Sequence, residues 1–106
     1  MSKKLTFQVI ALPSGTWDEV LAQFKQVEEL GFDMVTTGDH FVDWNDPVRP
    51  WLEAWTLLTG VACETSRIHL AVYVTQIPLR NPAMLARQAL TLDHISGGRL
   101  EIGIGT

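Results

Sequence analysis

Apolar and polar positions along this chain alternate between two periods. Leu5 to Leu12 is a short apolar run broken by Thr6 and Gln8, the pattern of a strand, and Pro13-Ser14-Gly15 closes it. Apolar residues then recur at Trp17, Val20, Leu21, Phe24, Val27 and Leu30, the spacing of a helix with one buried face. Thr16 and Glu19 form a capping box at its start, and Gly31 suits a left-handed end. Phe32 to Thr37 predicts a second strand. A polar, acidic loop runs from Gly38 to Arg49. Pro50 then fits the first turn of a second helix, whose apolar residues from Trp51 to Ala62 surround much of its circumference. Such a helix packs on more than one side. Ile68 to Thr75 reads as the third strand, and Asn81-Pro82 as the cap and first residue of a third helix, Ala83 to Ile95. Ser96-Gly97-Gly98 stops that helix, and Arg99 to Thr106 is the fourth strand.

The order βαβαβαβ, with short αβ turns and longer βα loops, predicts an α/β fold with a parallel sheet and right-handed crossovers. Either an open doubly wound sheet or part of a (β/α)₈ barrel satisfies it. A whole barrel needs about 250 residues. The 106 residues here supply four strands and three helices, so residues 1–106 read as one partial domain.

The chemistry concentrates where the second strand ends. The apolar run to Val35 gives way to Thr36-Thr37-Gly38-Asp39-His40-Phe41-Val42-Asp43-Trp44. In α/β proteins that mouth is where ligands bind. Imidazole as a group titrates near neutrality, so His40 there can act as a general base or touch a cofactor; it can equally just close the loop. Asp39 can satisfy loop amides. Trp44 can wall a planar ligand or pack back beside Trp51. Trp17 and Trp55 sit at core spacing. One histidine among loop carboxylates, with no paired-histidine motif, does not make a metal site, and none is expected. Gln76 and Arg80 follow the third strand; a solvated Arg80 is the ordinary outcome. Gly103-Ile104-Gly105 allows close backbone approach at the end of the fourth strand. The turn after the first strand lacks the three glycines of a dinucleotide site, which disfavours NAD.

Composition narrows the partners. Hydrophobic residues make up 46% and charged residues 19% of the chain, the proportions of a folded protein. The net charge of −4, without a basic cluster, argues against nucleic acid as a partner. No run approaches the roughly 18 apolar residues that cross a membrane, and a lone Cys63 precludes an internal disulfide, so a cytoplasmic location is expected. On its apolar helix Cys63 is expected in the core.

Several segments together carry a family resemblance. These are Glu29-Leu30-Gly31-Phe32-Asp33 leading to Gly38-Asp39-His40-Phe41, then Pro50-Trp51-Leu52-Glu53-Ala54-Trp55, Arg67-Ile68 and Arg80-Asn81-Pro82-Ala83. The most specific is Leu92-Asp93-His94-Ile95-Ser96-Gly97-Gly98-Arg99, followed by Gly103-Ile104-Gly105-Thr106. In this order the chain resembles the N-terminal part of the luciferase-like flavin-dependent oxidoreductases, over nearly its whole length. The Asp-His-Phe pattern with Trp44 four residues beyond His40 is most similar to the deazaflavin-dependent branch.

The resemblance implies the N-terminal half of a TIM (β/α)₈ barrel, holding coenzyme F-420 or FMN at its C-terminal mouth. It implies an oxidoreductase or monooxygenase acting on a small molecule. By the same likeness His40 would take a hydroxyl proton as hydride passes to the ring, and Asp39 would hold the ring or orient the histidine. Thr75 and Gln76 would lie near the ring, and Trp44 would line the substrate pocket. Many relatives carry Gly-Thr in the third strand, near a non-proline cis peptide; the bulkier Leu70-Ala71-Val72-Tyr73 argues against that irregularity here. Later strands supply the cofactor's phosphate site in relatives. The other reading is an inert half-barrel whose open sheet edges invite a second copy, as a homodimer.

Overall fold

A computed structural model describes residues 3–106. Four parallel strands, β1 (Gln8–Ile10), β2 (Met34–Thr37), β3 (His69–Gln76) and β4 (Leu100–Gly105), lie side by side in sequence order. The helices α1 (Trp17–Glu29), α2 (Ala54–Glu64) and α3 (Pro82–Ser96) connect them. A doubly wound sheet reverses its strand order partway. This sheet never does, and uniform right-handed crossovers then lay every helix on one face, as in a barrel wall. The core fills the space between. Val35, Leu70 and Val72 of the sheet meet Phe24, Leu58, Val61 and Leu92 of the helices, all with 1% exposure or less. Burying each such side chain is worth roughly 1.5–3 kcal/mol.

Local signals set most element ends. Thr16 Oγ1 accepts from the Glu19 amide while the Glu19 carboxylate accepts from the Thr16 amide, the expected capping box. Asn81 Oδ1 accepts from the Ala83 and Met84 amides ahead of α3. Gly97 ends α3 at φ 68°, a left-handed conformation that favours glycine. As its all-round apolarity predicts, α2 packs against α1, α3 and β3.

Three expectations fail. Pro50 does not open the second helix: Glu53 is the cap, its carboxylate accepting from the Trp55 and Thr56 amides, and α2 begins at Ala54. Proline suits extended backbone as well as a helix start, and the Leu52 amide donates to the Pro13 carbonyl at 2.8 Å. Cys63 is exposed, because the buried face of α2 runs through Ala54, Trp55, Leu57, Leu58, Val61 and Ala62. A non-proline cis peptide does occur, between Tyr73 and Val74, where the β3–β4 register shifts between Val72 and Thr75. The glycines of β4 make room for this segment. A Cβ on Gly103 would meet the Tyr73 ring at 2.5 Å, and one on Gly105 would overlap the Val74 side chain.

The N-terminal ends of the strands are tied by two polar hubs. The Glu28 carboxylate accepts from the amides of Ser66, Arg67 and Ile68. Burial raises its pKa, but those amides and the Arg67 charge outweigh burial and leave it lowered. Arg99, just before β4, donates to the carbonyls of Ala62, Thr65, Ile68 and Ser96 and to Thr65 Oγ1. One guanidinium thereby supplies the end of α2 with donors that the helix itself lacks. Arg99→Met is expected to cost about 2 kcal/mol, the toll of stranding several carbonyls. Urea unfolding measures it. Arg99→Lys should recover little, because a single ammonium cannot span the same fork.

Candidate active site

The opposite rim of the sheet carries the site. β2 ends at Thr37, and Gly38 leads to Asp39, which is only 4% exposed. A carboxylate so buried needs partners, and it finds them across the sheet at the exit of β3. Asp39 Oδ2 accepts from the Gln76 amide at 2.7 Å. Arg80 grips both carboxylate oxygens, through Nη1 to Oδ2 at 2.5 Å and Nη2 to Oδ1 at 2.9 Å. Arg80 also donates to the Gln76 carbonyl at 3.1 Å, and Glu53 lies 3.8 Å from its Nη2. The expectation of a solvated Arg80 is therefore wrong: only 15% of its side chain is exposed. The 3₁₀ turn Ile77–Leu79 folds it back over Gln76.

His40 is fixed by the same network. Gln76 Nε2 lies 2.5 Å from the Asp39 carbonyl oxygen and 3.1 Å from His40 Nδ1. The imidazole packs against the Trp44 ring at 4.5 Å between centroids and stands 6.1 Å from the Trp51 ring. Trp44 is 78% exposed, so its indole touches His40 on one side and faces open space elsewhere. Thr75 is buried, its Oγ1 accepting from Trp55 Nε1 at 3.2 Å. Asp43 turns inward and accepts from the Asn45 amide, which shapes the loop beneath Trp44. The fold thus gathers Asp39, His40, Trp44, Thr75 and Gln76 at one end of the sheet.

Burial raises the Asp39 pKa, but the Arg80 hydrogen bond, the Gln76 amide and the Arg80 charge together leave it lowered. Donating that hydrogen bond to Asp39 in turn raises the pKa of Arg80. The sequence marks Arg80 as able to reach an anion after the third strand, but not that the anion is Asp39. The arginine's only local signal was position, four residues past Gln76 and ahead of a helix cap.

Polar atoms without partners cluster on the same rim. Ser14 Oγ follows β1, Thr36 Oγ1 and Thr37 Oγ1 belong to the last two residues of β2, and Trp51 Nε1 precedes α2; all four are buried and unpaired. A buried donor without an acceptor costs free energy, so these atoms are available to water or to a polar ligand at this rim. A cavity of about 520 Å³ lies at the other end of the strands, lined by Phe7, Gln8, Met34, Arg67, His69 and Glu101 among others. There His69 and Glu101 pair with each other at 3.1 Å, each half exposed.

A family model described as luciferase-like monooxygenase matches residues 5–106. An F-420-dependent glucose-6-phosphate dehydrogenase of Kineococcus radiotolerans is 42% identical over 90 residues, covering 81% of this chain and 26% of that protein. The structure of an F-420-dependent tetrahydromethanopterin reductase from Methanopyrus kandleri superposes with a TM-score of 0.81 at 31% identity, covering 97% of this chain and 27% of that one. An F-420-dependent secondary alcohol dehydrogenase, solved with an F-420–acetone adduct, superposes with a TM-score of 0.88 at 26% identity, covering 97% and 32%. The chain thus spans about a quarter to a third of the length of these relatives.

The Asp39–Arg80 pair makes stability acid-sensitive. The folded-state pKa of Asp39 lies below its unfolded value, so the pair's contribution is full above the ordinary carboxyl range. It is lost as pH falls from there through the lowered value. Asp39→Asn should remove that acid-dependent part and cost about 3 kcal/mol, because Arg80 would stay buried without its counter-charge. Urea unfolding from pH 7 down to pH about 3 checks both the cost and the lost slope.

Proposed function

The chain belongs to the luciferase-like monooxygenase family, and from that premise we propose that it forms the His40-bearing part of a flavin-type oxidoreductase. The cofactor in this reading is the deazaflavin coenzyme F-420, with FMN as the alternative, and the substrate is a small molecule. When bound, the reduced or oxidised ring supplies or accepts a hydride. The single observation that carries the reading is the His40 imidazole, held at the C-terminal end of β2 by Gln76 and walled by Trp44. His40 is the catalytic residue and contacts the reacting oxygen of the substrate. Trp44 lines the substrate's side of the pocket.

The residues present fit such a ring. A flavin-type heterocycle carries carbonyl and N–H groups along one edge, and the unpaired Thr36 Oγ1, Thr37 Oγ1 and Trp51 Nε1 offer donors and an acceptor on this rim. Thr75 and Gln76 stand on the cofactor side at the exit of β3. Asp39 serves that side indirectly: its carboxylate is engaged by Arg80 and the Gln76 amide, so it orients the loop carrying His40.

A second reading has its own support. Ile10, Leu12, Ile102 and Ile104 are exposed by half or more, and β1 and β4 are the two edges of the sheet. Such edges invite pairing with another copy, which would make the chain by itself an inert half-barrel or a homodimer. Among the described residues no helix is long and apolar enough to cross a membrane; we propose a cytoplasmic location, where a free cysteine such as Cys63 stays reduced.

Titrating the purified chain into F-420 or FMN separates the readings. Quenching of deazaflavin fluorescence at micromolar chain is the expected result. Thr37→Val, which removes one of the unpaired hydroxyls offered to the ring, should weaken it by about 3- to 10-fold, the worth of one hydrogen bond of roughly 0.5–1.5 kcal/mol. A folded chain that responds to neither ring would establish the inert fragment. Size-exclusion chromatography then tests the homodimer, which a compact monomer would exclude.

A further inference from the structure

Gln76 does more than line the rim. Its amide orientation is not free, because a main-chain carbonyl can only accept a hydrogen bond. The Gln76 side-chain atom 2.5 Å from the Asp39 carbonyl must therefore be the NH₂ nitrogen. That same nitrogen is the one 3.1 Å from His40 Nδ1. An NH₂ group donates, so Nδ1 must be the accepting nitrogen of the ring. In a neutral imidazole the acceptor and the N–H occupy different nitrogens. The proton consequently sits on Nε2.

We propose that Gln76 is a positioning residue that locks neutral His40 as its Nε2–H tautomer, so that the ring presents a hydrogen-bond donor, not a lone pair, to the reacting oxygen. The lock is rigid because Gln76 is itself held three ways. Its backbone amide donates to Asp39 Oδ2, its carbonyl accepts from Arg80, and its side chain spans Asp39 and His40. Trp44 packs on the imidazole, which resists the ring flip that would exchange the two nitrogens.

The consequence alters the role expected from the sequence. A base that takes a hydroxyl proton needs a lone pair facing the substrate, and here the lone pair of the neutral ring is spent on Gln76. An Nε2–H instead stabilises the alkoxide formed when the reduced ring would pass a hydride to a carbonyl carbon; the imidazole keeps its proton, and the alkoxide takes one from water to become the alcohol. The favoured substrate class is accordingly a carbonyl compound undergoing reduction. This last step rests on the function proposed above; the tautomer itself does not.

The tautomer is read by long-range proton–nitrogen correlation spectra of the chain labelled with ¹⁵N-histidine, in alkaline buffer where neutral imidazole is observed. His40 signals are assigned by their loss in His40→Asn. The expected result is widely separated ring-nitrogen shifts, with the pyrrole-type nitrogen at Nε2. Gln76→Leu keeps the backbone amide bond to Asp39 but removes the donor, and should draw the two shifts together as the tautomers mix. An Nδ1–H ring in the unsubstituted chain would overturn the proposal, as would identical shift separation with Gln76 and with Leu. No cofactor is present in this experiment. A chain that fails to bind flavin yet shows the locked tautomer refutes the proposed function alone, and the converse refutes only the lock.

Discussion

A carboxylate 4% exposed at the end of a strand is the constraint on which the functional rim depends. Asp39 cannot be buried there alone, since an unpaired charge in such surroundings costs several kcal/mol. Its partners, the Gln76 amide and the Arg80 fork, come from the exit of the neighbouring strand. Satisfying one side chain therefore ties the end of β2 to the end of β3 and draws the 3₁₀ turn over both. His40 inherits its position from that tie, because the Gln76 side chain that steadies it is fixed by the same bonds.

The far end of the sheet solves a related problem by other means. There the chain must turn from helices back into strands through short connections, which leaves amides and carbonyls without regular partners. Glu28 accepts from three successive amides ahead of β3, and Arg99 donates to four carbonyls ahead of β4. In these two hubs acceptors and donors are spent internally, beside a cavity lined in part by the half-exposed His69–Glu101 pair. The functional rim differs in kind. Its loops are longer, and buried hydroxyls and an indole N–H remain unpaired. The asymmetry between a closed end and an open end matches the rule that barrels keep stability at one face and chemistry at the other, which is where the proposed site lies.

What the sequence made legible divides along the same line. Signals confined to four or five residues were readable: the Thr16–Glu19 box, the Asn81–Pro82 start and the left-handed Gly97. So was the alternation of periods that predicts a parallel α/β sheet. Where two local signals competed, the weaker prevailed in the reading. Pro50 resembled a helix start, but the Glu53 carboxylate caps α2 three residues later. The exposure of Cys63 follows from helix phase, since it lies off the face that buries Leu58, Val61 and Ala62. The Asp39–Arg80 pair joins residues 41 apart. No periodicity encodes it, and only the adjacency of β2 and β3 brings the two together. The glycines of β4 show the same limit, since their need arises from the Tyr73 and Val74 side chains on the neighbouring strand.

His40 was conspicuous in the sequence, but its chemistry was not, because a histidine's role depends on what its second nitrogen meets. That partner is residue 76, and its identity decides the outcome. A side-chain amide anchored through its NH₂ on a carbonyl can offer Nδ1 only a donor, which leaves the proton on Nε2. A carboxylate in the same place would accept from Nδ1 and turn Nε2 into a lone pair, suited to removing a proton. On the function proposed above, the same strand, loop and histidine would serve opposite steps of an oxidation–reduction, with the choice made at the exit of β3 and no change to the ring itself.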